Sequence, residues 1–135
     1  ANGRRRKTKR QIQLDNFARR GHLLPMTRVT ADFWVQAYLT RLRLADIPAF
    51  VTARGDNTAG AVMVKLNTLD GTARAYQRSF DLMSGDRAWV VLAEGDEAEV
   101  DAALARQLRF DPDLWVIEVE DRAGRHLLDE TGLAD

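Results

Sequence analysis

A chain that does acid–base or nucleophilic chemistry must present a nucleophile, a base and a group to orient them. This sequence offers few of each. It has two serines, Ser79 and Ser84, two histidines, His22 and His126, and no cysteine. Neither serine sits in a nucleophile elbow, and without cysteine the chain has no thiol nucleophile, thiolate metal site or disulfide. Carboxylates are plentiful, twenty Asp or Glu in 135 residues, but no spacing selects two of them as an acid–base pair. We therefore assign no catalytic residue and expect no cofactor. His126 is where a metal site could assemble, since it lies among Glu118, Glu120, Asp121, Asp129 and Glu130. A metal needs such groups to converge with open geometry, whereas Glu118 and Glu120 share a strand face simply because side chains alternate. The pattern reads as a solvated acidic face, and no metal is expected.

Anion recognition has slightly more to work with. The loop Gly55-Asp56-Asn57-Thr58-Ala59-Gly60 could turn backbone amides toward a phosphate, as glycine-rich loops do. It lacks the lysine and the following helix of a P-loop, so a plain hairpin loop is the ordinary reading. If a small ligand binds, the expected place is where Gly55, Asp56, Asn57 and Gly60 meet Arg54, Arg74 and Arg78. Arg74 and Arg78 project from one strand face and could form a paired cationic edge, although a solvated face would use them equally well. Trp34, Trp89 and Trp115 fall inside apolar elements and read as core rather than as a platform for nucleobases.

The net charge of zero conceals a segregation. Residues 1–25 hold eight Lys or Arg against one acid, Asp15, a net +7. The remainder holds twelve basic against nineteen acidic residues, a net −7. Arg4, Arg5, Arg6, Lys7, Lys9 and Arg10 make a basic arm able to bind phosphates without reading bases, with Gln11, Asn16, Arg19 and Arg20 as further backbone contacts. The amphipathic pattern begins just after Met26, so Met26 reads as a possible natural start, with residues 1–25 then a non-native extension and 26–135 a single domain. No apolar run approaches the ~20 residues of a membrane helix, and no secretory leader pattern is present. The cytoplasm is the expected compartment, and no membrane partner is expected.

The elements that would position these residues follow from periodicity. Thr30 can cap a helix over 31–45, apolar around most of its circumference and ended by Pro48. So wide an apolar face predicts self-association through Val35, Leu39 and Leu42. Strands are expected at 49–53, 61–67, 72–80 and 87–93. Asp70-Gly71 closes a hairpin, and Ser84-Gly85-Asp86 makes a turn. The strand 87–93, nearly all apolar, reads as central, with Trp89 buried. Asp96 and Glu99 resemble a capping box opening a helix over 96–109. Asp111-Pro112 breaks it, and a fifth strand over 114–120 neighbours the fourth and buries Trp115. The expected fold is α+β and two-layer, in the order αββββαβ. Its mostly antiparallel five-stranded sheet is a meander followed by a crossover, with both helices on one face.

Three stretches carry a resemblance: Gly55-Asp56-Asn57-Thr58-Ala59-Gly60-Ala61-Val62-Met63-Val64-Lys65-Leu66, Gln77-Arg78-Ser79-Phe80-Asp81, and Phe110 through Arg122. They are similar to a family of short bacterial proteins catalogued as domain of unknown function 1491. The similarity covers about residues 26–133, implies a compact stand-alone domain, and brings no activity or catalytic residue with it. The expected function is a non-enzymatic binding or protein-interaction domain, homo-oligomeric. The alternatives are a nucleic-acid-associated protein acting through its arm and an enzyme acting on a small anion.

Overall fold

The computed structural model describes residues 29–80, 83–85 and 87–134. The basic arm at 4–10 and Asp86 lie outside them. All secondary structure below belongs to the unit Ala31–Asp135. In chain order it comprises α1 (Ala31–Leu44), β1 (Ala49–Ala53), β2 (Val62–Asn67), β3 (Thr72–Phe80), β4 (Arg87–Asp96), α2 (Glu97–Phe110) and β5 (Trp115–Glu120). The α+β class and the order αββββαβ are as expected. No helix among the described residues is long and apolar enough to cross a membrane.

The sheet runs β1-β5-β2-β3-β4. β2 and β5 are parallel, with Val64 opposite Ile117, and the other three pairs are antiparallel. The expected meander is thus interrupted, because β5 inserts between β1 and β2. β5 earns the centre by its side chains: Trp115, Val116, Ile117 and Val119 are all buried, alternately on both faces. A strand apolar on both faces is most stable where both faces are covered.

That cover corrects a second expectation. The helices lie on opposite faces of the sheet, not on one. Trp34, Val35, Tyr38 and Leu42 of α1 pack with Val64, Leu66, Tyr76, Trp115, Ile117 and Val119, together with Leu128 and Leu133 from the C-terminal segment. Val100 and Leu104 of α2 pack with Met63, Ala73, Ala75 and Val116 from the other side. Val35 and Leu42, assigned in sequence to a subunit interface, are 0% exposed. The C-terminal segment joins the sheet in covering α1, which leaves those two side chains no surface for a second copy. Leu39 is partly buried against the same core.

Helix boundaries differ from expectation in instructive ways. α1 ends before Pro48, in a Schellman arrangement: Ile47 N–H donates to Leu42 O (2.9 Å) and Asp46 N–H to Arg43 O (3.0 Å). Asp46 takes the left-handed position at φ 60°, and buried Ile47 and Leu42 supply the apolar contact that accompanies this motif. At the start of α2, Asp96 makes no side-chain capping bond. The Glu97 amide donates to Gly71 O of the neighbouring hairpin (2.9 Å), so a tertiary contact replaces the capping box.

The strand read as central, β4, is an edge strand. β4 and β5 are not neighbours, since β2 and β3 lie between them. Trp89 is only partly buried, and Val90 and Val91 are 37% and 45% exposed.

Candidate functional site

The glycine loop stands at the entry to β2 and caps α1. Its carbonyls take the first helical amides: Ala31 N–H donates to Thr58 O (3.1 Å) and Asp32 N–H to Asn57 O (2.9 Å). These are donors that a helix cannot satisfy internally. The loop's own amides turn inward. Thr58 and Ala59 N–H donate to Asp56 Oδ2 (3.1 and 2.8 Å), and Asp56 N–H donates to Asp113 O (3.0 Å). The glycines are required by close approach. A Cβ on Gly55 would lie 2.2 Å from Asp113 O and 2.6 Å from Trp115 Cδ1, and one on Gly60 would lie 2.6 Å from Asp113 O. The indole N–H of Trp115 donates to Asp56 O at 2.8 Å. Loop, helix start and β5 therefore lock together around one buried tryptophan.

The three arginines have separate surroundings. The Arg54 guanidinium lies 5.0 Å from the centre of the Trp115 ring. Arg78 projects from the α1 side of β3 and lies over both Trp34 (5.3 Å) and Trp89 (4.8 Å). Such cation–π contacts contribute roughly 0.5–2 kcal/mol according to how far the pair is desolvated. Arg74 shares that strand face but pairs with Glu94 of β4 at 3.0 Å, with both side chains more than half exposed. The shared face expected of Arg74 and Arg78 is present, and their partners differ.

His126 is tied into the layer that covers α1. Its Nδ1 accepts the Leu128 amide (2.9 Å), its carbonyl accepts the Tyr38 hydroxyl (2.8 Å), and its ring lies 4.8 Å from that of Tyr76. Burial pushes the imidazole below its usual pKa, aided by Arg74 and opposed by Asp129. Burial likewise pushes the Tyr38 phenol up, so it remains a hydrogen-bond donor. The acids near His126 in sequence disperse. Asp121 pairs with Arg125 (3.0 Å), Glu130 lies 3.5 Å from Arg41, and Glu118 points to the opposite face of the sheet. Among the described residues no group of three or more His, Cys, Asp or Glu is arranged to hold a metal ion.

Glu118 leads to the constellation that sequence reasoning missed. It is not a solvated acid. On the α2 face, the Lys65 ammonium sits 2.7 Å from Glu97, 2.7 Å from Asp101 and 3.4 Å from Glu118, with its side chain 5% exposed. Asn67 Nδ2 bridges Glu97 and Glu118 at 3.2 Å each. Burial alone would lower the lysine pKa, but the hydrogen bonds it donates to Asp101 and Glu97 and the charge of Glu118 outweigh it and hold the ammonium above its usual range. A lysine so held is a permanent cation and a poor nucleophile. Its effect is to fasten β2, β5 and α2 to one another. The sequence did carry a signal: a lysine within an apolar strand, and acids at 97 and 101, four apart on a helix.

Arg54, Arg74, Arg78, His126, Asp121 and Lys65 are thus engaged within the domain. Large apolar side chains also remain at its surface. Phe33 and Leu44 on α1, Phe50 and Val51 on β1, Val90 and Val91 on β4, and Phe110 at the end of α2 are all exposed.

Comparison with known proteins identifies a family and no assigned activity. No curated protein matches the chain. A crystal structure of a DUF1491 family protein from Caulobacter crescentus CB15 superposes with a TM-score of 0.70 at 40% identity, covering 76% of this chain and 97% of that one. An NMR structure of a DUF1491 family protein from the same organism gives 0.66 at 40% identity, covering 76% and 94%. A solution structure of a protein from A. tumefaciens gives 0.60 at 31% identity, covering 69% and 86%. The model of the protein family of unknown function DUF1491 matches residues 29–129, and the chain belongs to that family.

Proposed function

We propose that this domain is a non-enzymatic protein-interaction module that binds by strand addition at the outer edge of β4, which pairs with β3 alone among the described residues. The observation that carries the reading is the position of β4, a ten-residue strand apolar enough to read as central that stands at the edge of the sheet with Val90 and Val91 exposed. An edge of this length offers unpaired backbone donors and acceptors, and soluble proteins normally blunt such edges with charge, proline or brevity. Strand addition uses those groups for affinity and alternate side-chain positions for specificity. The other edge, β1, is blunted: it has five residues, a register shift between Val51 and Ala53, and Pro48 immediately before it. A chain without cysteine suits the reducing cytoplasm, which is the compartment of this proposal.

The test places a photo-crosslinking amino acid at position 90 in the full chain, expressed in bacterial cells, with positions 50 and 33 as exposed controls. Adducts concentrated at 90 are expected. Adducts no more frequent there than at the controls would end the reading.

A second reading rests on the charge division alone, with +7 in residues 1–25 against −7 in the remainder. Six basic residues at 4–10 would give a log–log salt slope on duplex DNA no steeper than about −5, whatever the base sequence. A chain beginning at Met26 should show no such binding. Titration of both forms against DNA and RNA across a salt series is the check, and equal binding by the shorter form would refute the role of the arm.

A further inference from the structure

We infer that the partner added at β4 is a second copy of this chain, paired antiparallel about a twofold axis at Val91. The inference rests on the strand-addition reading above and identifies its partner. β4 meets β3 at nine register positions, Arg87 to Val91 and Ala93 to Asp96, with the shift between Ala75 and Tyr76 leaving Leu92 as the additional residue. Carried to the outer edge, this alternation makes the strand complementary to itself. A twofold centred on Val91 sets Val91 against its own copy, Val90 against Ala93, Trp89 against Glu94, and Arg87 against Asp96. Directly opposed residues project to the same face of an antiparallel pair, and these partners agree in face throughout. The exposed apolar centre is then covered, and symmetry repeats the Arg87–Asp96 pairing at both ends.

Two alternatives fare worse, one on charge and one on length. A parallel in-register copy would oppose Arg87 to Arg87 and Asp96 to Asp96, and like charges directly across strands are destabilising. Pairing β4 with the β1 of another copy would meet a five-residue strand that carries a register shift and leave half of the ten-residue β4 uncovered. Asp96 suits the proposed role, since it stands just before α2 without making a side-chain capping bond.

The cysteine-free chain allows a direct experiment. Val91→Cys introduces a single thiol that the proposed register places beside its own copy. Under mild oxidation it should form a covalent dimer much faster than Phe50→Cys, whose thiol lies on exposed β1. Light scattering of the parent chain should give twice the 15.2 kDa chain mass. Arg87→Asp and Asp96→Arg should each weaken dimerisation about tenfold through like charges at both ends, and the double variant should recover most of it. Equal cross-linking of Val91→Cys and Phe50→Cys, or double reversal no better than the single ones, would overturn the register. A monomer mass at high micromolar concentration, with adducts of another mass at position 90 in cells, would overturn self-pairing and leave strand addition standing. A monomer with no excess of adducts at position 90 would remove both.

Discussion

β4 and β5 are close in character as sequences and opposite in circumstance. Each is a run of apolar residues containing one tryptophan, Trp89 in Arg87–Asp96 and Trp115 in Trp115–Glu120. β5 lies between two strands with a helix over each face, and its tryptophan is 0% exposed. β4 has one strand neighbour, and its tryptophan is only partly covered, by Trp34 and by the C-terminal segment whose Leu133 carbonyl accepts the indole N–H at 3.0 Å. An apolar composition therefore fixes that a strand wants cover without fixing what supplies it. For β5 the cover is this chain. For β4 we have argued that much of it is another.

The largest expected effects test the β5 half of that contrast. Trp115→Ala removes a fully buried ring, its hydrogen bond to Asp56 O and the surface beneath Arg54, and should cost ~3–5 kcal/mol. Trp89→Ala should cost roughly 1–2 kcal/mol, because less apolar area leaves water at an edge. Urea unfolding at low protein concentration compares the two without a contribution from assembly. Equal losses would mean that β4 is as covered as β5 in the monomer, which would undercut the contrast at its root.

Lys65→Met addresses what holds β5 to β2 and α2. Removing the cation leaves Glu97, Asp101 and Glu118 facing one another without it, and a loss of ~3 kcal/mol or more is expected. The triple change Lys65→Met, Glu97→Gln, Glu118→Gln should recover part of that loss, since it removes most of the orphaned charge. No recovery would show that the loss does not come from the orphaned carboxylates. Gly55→Ala should cost ~1–3 kcal/mol by overpacking against Asp113 O and Trp115, whereas Gly85→Ala, with open space about it, would suffer only from its positive φ. Unfolding midpoints that failed to rank Gly55 as the more costly site would contradict the close approach described here.

The smallest effect is a pH dependence. His126 has a folded-state pKa below its ordinary value, so the unfolded chain binds its proton more readily. Its contribution is present above about pH 6.5 and is lost as pH falls through the depressed folded value. Protonation would also compete with the Leu128 amide for Nδ1. Asp70, held at about 2 by Thr72 and Thr68, acts in the same direction only below about pH 4. A midpoint falling between pH 7 and 5 in the parent, and falling less in His126→Gln, is the expected result. Identical pH profiles would assign the loss elsewhere.

Much of the fold could be read directly. Element order and type followed from period and punctuation, as with Asp70-Gly71, where Gly71 adopts φ 91°. Local patterns misled wherever a tertiary partner displaced them. The loop Gly55–Gly60 resembled an anion cradle because glycine marks both close approach to a ligand and close approach to one's own backbone, and only the position of Asp113 and Trp115 distinguishes the two. The apolar breadth of α1 resembled an interface because the C-terminal segment that helps to cover it lies about ninety residues away, as the bond from Tyr38 to His126 shows (separation 88). Asp96 and Glu99 had the spacing of a capping box, yet Gly71 O, brought by the hairpin, receives the amide.

By itself, the sequence determined the charge division between residues 1–25 and the remainder, the absence of thiol chemistry, the order αββββαβ and the need of each strand for apolar cover. These are properties of composition and period, legible within a few residues. Tertiary structure alone decided which strand is central, that the helices take opposite faces, and that Lys65 finds Glu97, Asp101 and Glu118. Those outcomes depend on which distant surfaces meet. Local sequence shows that a residue must be buried or paired, and the path of the whole chain selects the partner.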